Sequence, residues 1–129
     1  MSIPTELKYS TDHEWVRVEG NTAVVGVTDF AQSQLGDVVF VELPNEGDSA
    51  KAGQRISVIE SVKAVSDIIS PLSGKVIKTN QELTDAPELV NQSPYGDGWI
   101  LVIEISNPEE LTVLLDDAAY SDLIAKGGH

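Results

Sequence analysis

From residue 13 to residue 105 the apolar residues come in short runs rich in Val and Ile, and each run is ended by a cluster of Gly, Pro, Asn, Asp or Ser. Runs of this length are too short for a stable helix but match strands, so the chain is constrained to a β architecture of many short strands and turns. In 13–19, Trp15, Arg17 and Glu19 alternate with Val16 and Val18, and Glu19-Gly20-Asn21 offers a turn into 22–27, which predicts a hairpin. Thr28 can cap a two-turn helix over 29–35, where Phe30, Ala31, Gln34 and Leu35 recur at helical spacing before Gly36 stops it. The nearly continuous apolar run 37–43 reads as a strand covered on both faces. Further strands are predicted at 55–60, 65–69, 74–79 and 99–105, the pattern of an all-β sandwich or barrel.

Two stretches interrupt this pattern. Within 81–98, residues 85–90 suggest one helical turn and 93–98 a loop. Near the C-terminus, Asn107 as N-cap, Pro108, and Glu109 with Glu110 in the first turn predict a helix over 107–125, with Asp116-Asp117 as a potential break. Its apolar face would be Leu111, Leu114, Leu115, Ala118, Ala119 and Leu123. A faint repeat is also visible: Leu35-Gly36-Asp37-Val38-Val39 and Ser73-Gly74-Lys75-Val76-Ile77 both set a Gly and a charged residue before a β-branched pair.

The length, 129 residues, fits a single domain over 1–129 with its core at about 13–105. Asp and Glu number 21 against 8 Lys and Arg, a formal charge of -13 that opposes binding to nucleic acid or to anionic membranes. The absence of Cys removes disulfides, thiolate nucleophiles and zinc ribbons, and fits a reducing compartment. The N-terminus lacks the marks of a signal or transit peptide, so the chain reads as cytoplasmic, or as mitochondrial matrix if it is a processed form. The apolar run 99–103 is far below the roughly 20 residues of a membrane helix.

Catalytic chemistry finds little support. His13 is the one histidine before the C-terminal His129, and no Gly-x-Ser-x-Gly elbow accompanies it, so it reads as a partly buried strand residue satisfied by hydrogen bonds. Metal-ligand spacings and phosphate-binding glycine loops are missing. Lys63 stands out as the only basic residue between Arg55 and Lys75, between two strand-like runs. By itself an exposed strand lysine serves solubility or edge protection, and the segment lacks the Asn-Gly or Asp-Gly of a tight hairpin.

The segment Glu60-Ser61-Val62-Lys63-Ala64, with Ser66-Asp67, Ser70-Pro71 and Ser73-Gly74 after it, resembles the lipoyl-attachment segment of the glycine cleavage system H protein family. The likeness runs through Leu7-Lys8-Tyr9-Ser10, His13-Glu14-Trp15, Gly26-Val27-Thr28-Asp29, Leu35-Gly36-Asp37, Val39-Phe40-Val41, Leu89-Val90-Asn91, Pro94-Tyr95 and Gly98-Trp99, and leaves out only the tail Gly127-Gly128-His129. The resemblance implies a mainly β, hybrid barrel-sandwich fold of the lipoyl/biotinyl type: two antiparallel sheets, short helices, a C-terminal helix, and lipoate covalently attached to Lys63 at a hairpin tip. It further implies a carrier without turnover of its own. Such a carrier shuttles the aminomethyl group of glycine from glycine decarboxylase to an aminomethyltransferase and is reoxidised by dihydrolipoamide dehydrogenase, after a lipoate-attaching enzyme has loaded it.

Biotinyl domains place Met on both sides of the modified lysine, where this chain has Val62 and Ala64. A lipoyl-relay protein or an unmodified adaptor of the same fold are the alternatives. The resemblance also implies that the loaded arm folds back toward the N-terminal segment. Glu14 and Asp67 are then the expected acceptors for its ammonium group, ahead of Asp12.

Overall fold

The structure, a computed structural model, describes residues 3–127. Met1, Ser2, Gly128 and His129, on which the readings of the chain's start and its unmatched tail partly rest, lie outside the described residues. In chain order the strands are β1 (Lys8–Tyr9), β2 (Glu14–Glu19), β3 (Thr22–Val27), β4 (Val38–Glu42), β5 (Ser49–Ala50), β6 (Arg55–Ser61), β7 (Val65–Ile69), β8 (Gly74–Thr79) and β9 (Leu101–Ile105). They form a large sheet in the order β1-β2-β3-β9-β8-β5 and a small sheet in the order β4-β6-β7, every pairing antiparallel. The fold is mainly β, and the core lies between the two sheets, with Val16, Val25, Ile59, Leu72, Val76, Leu101 and Ile103 almost wholly buried.

The hairpin over 13–27 forms with Glu19 opposite Thr22 and with Gly20 at a φ of 64°, the backbone state a tight turn demands. Gly26 lies across from Trp15, and a β-carbon there would come within 2.6 Å of the indole, so its absence lets the ring lie flat on β3. The indole N–H donates to the Pro94 carbonyl at 2.8 Å and fastens the 93–98 loop. The helix α1 spans Asp29–Leu35, capped by the Thr28 hydroxyl and ended at Gly36, whose φ of 77° only glycine adopts without strain.

Strand β4 departs from the expectation of cover on both faces. Val38 and Val41 are buried, but Val39 and Phe40 are 53% and 47% exposed. The cause is a bulge: Val38 pairs with Ser61 and Phe40 with Glu60, so Val39 is an extra residue and Phe40 turns outward. The same device recurs in β8, where Val76 pairs with Ile103 and Lys78 with Val102, leaving Ile77 as the extra residue. The faint sequence repeat thus marks one bulge in each sheet.

In the stretch before β9 the helical turn expected over 85–90 is split into α2 (Glu82–Asp85) and α3 (Leu89–Gln92). Pro87 excludes the helical region for the residue before it, and Ala86 sits at φ −135°, ψ 64°. The C-terminal helix is likewise divided, into a 3-10 helix over Pro108–Val113 and α4 over Asp117–Ala125, where Asp116 caps by accepting from the Ala119 N–H. The break resets the helical phase. Ala118 and Ala119 therefore stand exposed rather than on the buried face, and Tyr120 takes the inward position, stacked on Tyr9 at 4.7 Å. No helix among the described residues is long and apolar enough to cross a membrane.

Candidate functional site

Lys63 sits at the tip of the hairpin between β6 and β7. The turn is Ser61-Val62-Lys63-Ala64: the Ser61 N–H donates to the Ala64 carbonyl at 2.8 Å, and the Ser61 Oγ accepts from the Ala64 N–H at 3.1 Å. A serine side chain at the first turn position thus does what Asn-Gly does elsewhere, which is why the turn carried no glycine signal. The Val62 N–H donates to the Asp37 carbonyl at 3.0 Å and stitches the tip to the residue before β4. Val62, Lys63 and Ala64 are exposed, Ser61 is buried and Glu60 half-buried.

Asn91, to which the sequence assigned no role although it stands in a matched block, organises the base of this tip. Its Oδ1 accepts from the Val38 N–H at 2.8 Å, and its Nδ2 donates to the Gly36 carbonyl at 2.8 Å and to Gln32 Oε1 at 3.0 Å. The end of α1, the start of β4 and the hairpin tip are held together. The Lys63 stem passes Gly36 so closely that a β-carbon on that glycine would lie 3.5 Å from Lys63 Cε.

Beside α1 a cleft of about 160 Å³ opens, lined by Asp12, His13, Glu14, Phe30, Ala31, Leu35, Ile59, Asp67 and Ile68 among others. Leu35, which adjoins Gly36, therefore links the lysine to the cleft. A larger open groove of about 510 Å³ contains Glu42, Asp48 and Arg55. It lies at the opposite end of β6, about 20 Å of strand from the tip.

Glu14 is 2% exposed, not a solvated surface acid. Its Oε1 accepts from the Ser10 hydroxyl at 2.6 Å and its Oε2 from the Ile69 N–H at 3.3 Å. Burial, more than these hydrogen bonds can offset, pushes the carboxyl up to about 8, and Asp12 adds to the shift. Asp67 stands at the rim, its side chain 56% exposed and 3.9 Å from Arg55 Nη1. Asp12 is exposed.

His13 has a φ of 69° and lines the cleft, with Nδ1 2.8 Å from the Tyr120 hydroxyl, which in turn is 2.6 Å from Thr28 Oγ1. The C-terminal helix is thereby joined both to the cleft wall and to the cap of α1. This link had no signal in the periodicity, since Tyr120 fell outside the expected apolar face. No cluster of His, Asp or Glu that could hold a metal occurs among the described residues.

Comparison with known proteins agrees with this geometry. Residues 7–127 match the family model described as glycine cleavage H-protein. The chain is 57% identical over 126 residues to the glycine cleavage system H protein of Symbiobacterium thermophilum, covering 98% of both chains. It is 51% identical to that of Carboxydothermus hydrogenoformans, covering 98% of this chain and 97% of the other. The crystal structure of a glycine cleavage system H protein from Mycobacterium marinum superposes with a TM-score of 0.88 at 34% identity, over 95% of this chain and 99% of that one. A barrel-sandwich of two sheets presenting one lysine at a hairpin tip, matched over nearly its whole length in sequence and fold, belongs to the glycine cleavage H-protein family, the non-catalytic lipoyl carriers of the glycine cleavage system.

Proposed function

We propose that Lys63 is the residue on which this carrier bears its lipoyl group, as a single carrier domain working in the cytoplasm. The observation that carries the reading is the exposed Lys63 at a turn whose backbone is fixed by Ser61 and whose base is fixed by Asn91. When attached, lipoate supplies a redox-active disulfide on a long flexible stem. A rigid base with a mobile stem gives each partner enzyme a high effective concentration of tethered substrate. The proposed partners are glycine decarboxylase, the aminomethyltransferase, dihydrolipoamide dehydrogenase and a lipoate-attaching enzyme. With no Cys in the chain, no internal thiol competes in disulfide exchange.

The cleft beside α1 fits the role of an arm-docking site. It begins next to the residue that the Lys63 stem passes, its walls are partly apolar, and a buried carboxyl lies within it. Glu14 is the acceptor for an ammonium group carried there, with Ser10 orienting the carboxyl and Asp67 at the rim. An incoming cation supplies the opposite charge that burial withholds, and Glu14 then yields its proton to solvent and binds as carboxylate. A charge-assisted contact of this kind contributes about 1.5–3 kcal/mol.

Expression with lipoate followed by peptide mapping tests the assignment. The adduct should be found on Lys63 alone, and Lys63→Arg should leave the fold intact while abolishing both the mass increase and carrier activity. Glycine cleavage supported by Lys63→Arg would refute it.

A further inference from the structure

Seven large hydrophobic side chains stand exposed among the described residues, and four of them surround the attachment hairpin: Val39, Phe40, Val62 and Val65, each 47–69% exposed. The register sets out the surface. Phe40, Glu60 and Val65 form one cross-strand row on the outer face of the small sheet, and Glu42, Val58 and Asp67 form the next. The bulge at Val39 creates this arrangement. Without it Phe40 would fall opposite Ile59 and face the core. The charged side chains in the two rows, Glu42, Glu60 and Asp67, are all acidic, and Arg55 lies 3.9 Å from Asp67 at one edge.

We infer that this apolar face, set among Glu42, Glu60 and Asp67, is the docking surface for the enzyme that acylates Lys63, a partner presenting an apolar contact edged with Lys and Arg. The inference rests on Lys63 being the attachment residue. Before it is loaded, Lys63 offers only its own four-carbon stem. The acylating enzyme must bring an activated carbonyl to about 3 Å from Nζ, so its body has to abut the residues flanking the tip. Enzymes met later by the extended arm face no such requirement. In the step itself the lysine ammonium loses a proton to solvent or to a base on the enzyme. Nζ then forms the amide bond as the bond from the acyl carbon to the adenylate oxygen breaks and AMP leaves. The carboxylates favour encounter with a basic mouth, and Phe40, Val65 and the neighbouring Val39 and Val62 provide the area that water leaves.

The test uses chain expressed without lipoate, in wild-type form and as Phe40→Ser, Val65→Thr and the double variant. A lipoate ligase with ATP and lipoate is the probe, and intact mass gives the rate of attachment. The double variant should lose about tenfold in kcat/KM through a raised KM with kcat kept, which is the mark of lost docking. Its Lys63 should react with acetic anhydride at the wild-type rate. Once fully loaded, it should be reduced by dihydrolipoamide dehydrogenase at the wild-type rate.

An unchanged KM overturns the inference. So does an equal loss with the dehydrogenase, which would make the face a general contact, and so does an altered reactivity toward anhydride, which would make the effect structural. Val65→Thr keeps a β-branched residue at an exposed position, so it decides the matter if the double variant does not fold. A wild-type chain that takes no lipoate at Lys63 would refute the attachment reading itself. Normal wild-type loading beside an unaffected variant would refute only the docking face.

Discussion

The Ile69 N–H donates to Glu14 Oε2 at 3.3 Å, so a carboxyl from the large sheet is fastened to the last strand of the small one. The group that makes this link is held largely as the neutral acid at neutral pH, since its ionisation is pushed up to about 8 from the 4.5 of a free glutamate.

That displacement fixes the sign of a pH effect. Between the unfolded and folded values the native state binds more protons than the unfolded one, so the Glu14 contribution is unimpaired below pH 4.5 and is progressively lost as pH rises through 8. Glu14→Gln keeps the size and removes the titration. Denaturant curves from pH 5 to pH 9 should show the variant gaining on wild type by a few kcal/mol as pH rises. A difference independent of pH would contradict the burial argument.

The docking role of the same residue predicts a lifetime. Protein carrying the aminomethyl cargo, kept in buffer without partner enzymes, should decompose severalfold faster in Glu14→Ala than in wild type. Asp67→Asn should have the smaller effect, because the Asp67 carboxylate is half exposed and turned toward Arg55. Unchanged lifetimes in both variants would remove the cleft from the mechanism.

Asn91→Ala should cost about 2–3 kcal/mol, because it leaves the Val38 N–H and the Gly36 carbonyl without their partner. Chemical denaturation measures the loss. Faster amide exchange at Val62 should accompany it, since that N–H bonds to Asp37, next to the released Gly36.

Tyr120→Phe retains the stack on Tyr9 and removes only the hydroxyl between His13 and Thr28. The expected loss is about 1–2 kcal/mol. A changed nitrogen chemical shift of His13 Nδ1 at fixed pH would separate the hydrogen bond from simple packing.

The parts of the fold that were legible in the sequence are those set by neighbours along the chain. Thr28 and Gly36 bound α1 because a cap and a left-handed stop are local devices, and the hairpin over 13–27 has its turn and its alternation in one stretch. Lys63 stood out by its isolation between two strand-like runs, but its place at a hairpin tip followed only from resemblance, because the turn that presents it depends on the Ser61 side chain in place of a glycine. The exposure of Phe40 and the burial of Glu14 were hidden for a common reason. Each is decided by pairing across the chain, the one by the register with β6 and the other by cover from β7.

The contact between His13 and Tyr120 spans 107 residues of chain. Closing a loop of that length carries an entropic cost that packing of the last helix must offset. Residues 38–69, which frame Lys63, all precede residue 120, so the turn and the tie that anchors one wall of the cleft come from separate parts of the chain. The cleft wall thus depends on the far end of the chain: removal of α4 would release His13 from Tyr120 and leave in place the Ser61 hydrogen bonds that shape the turn at Lys63.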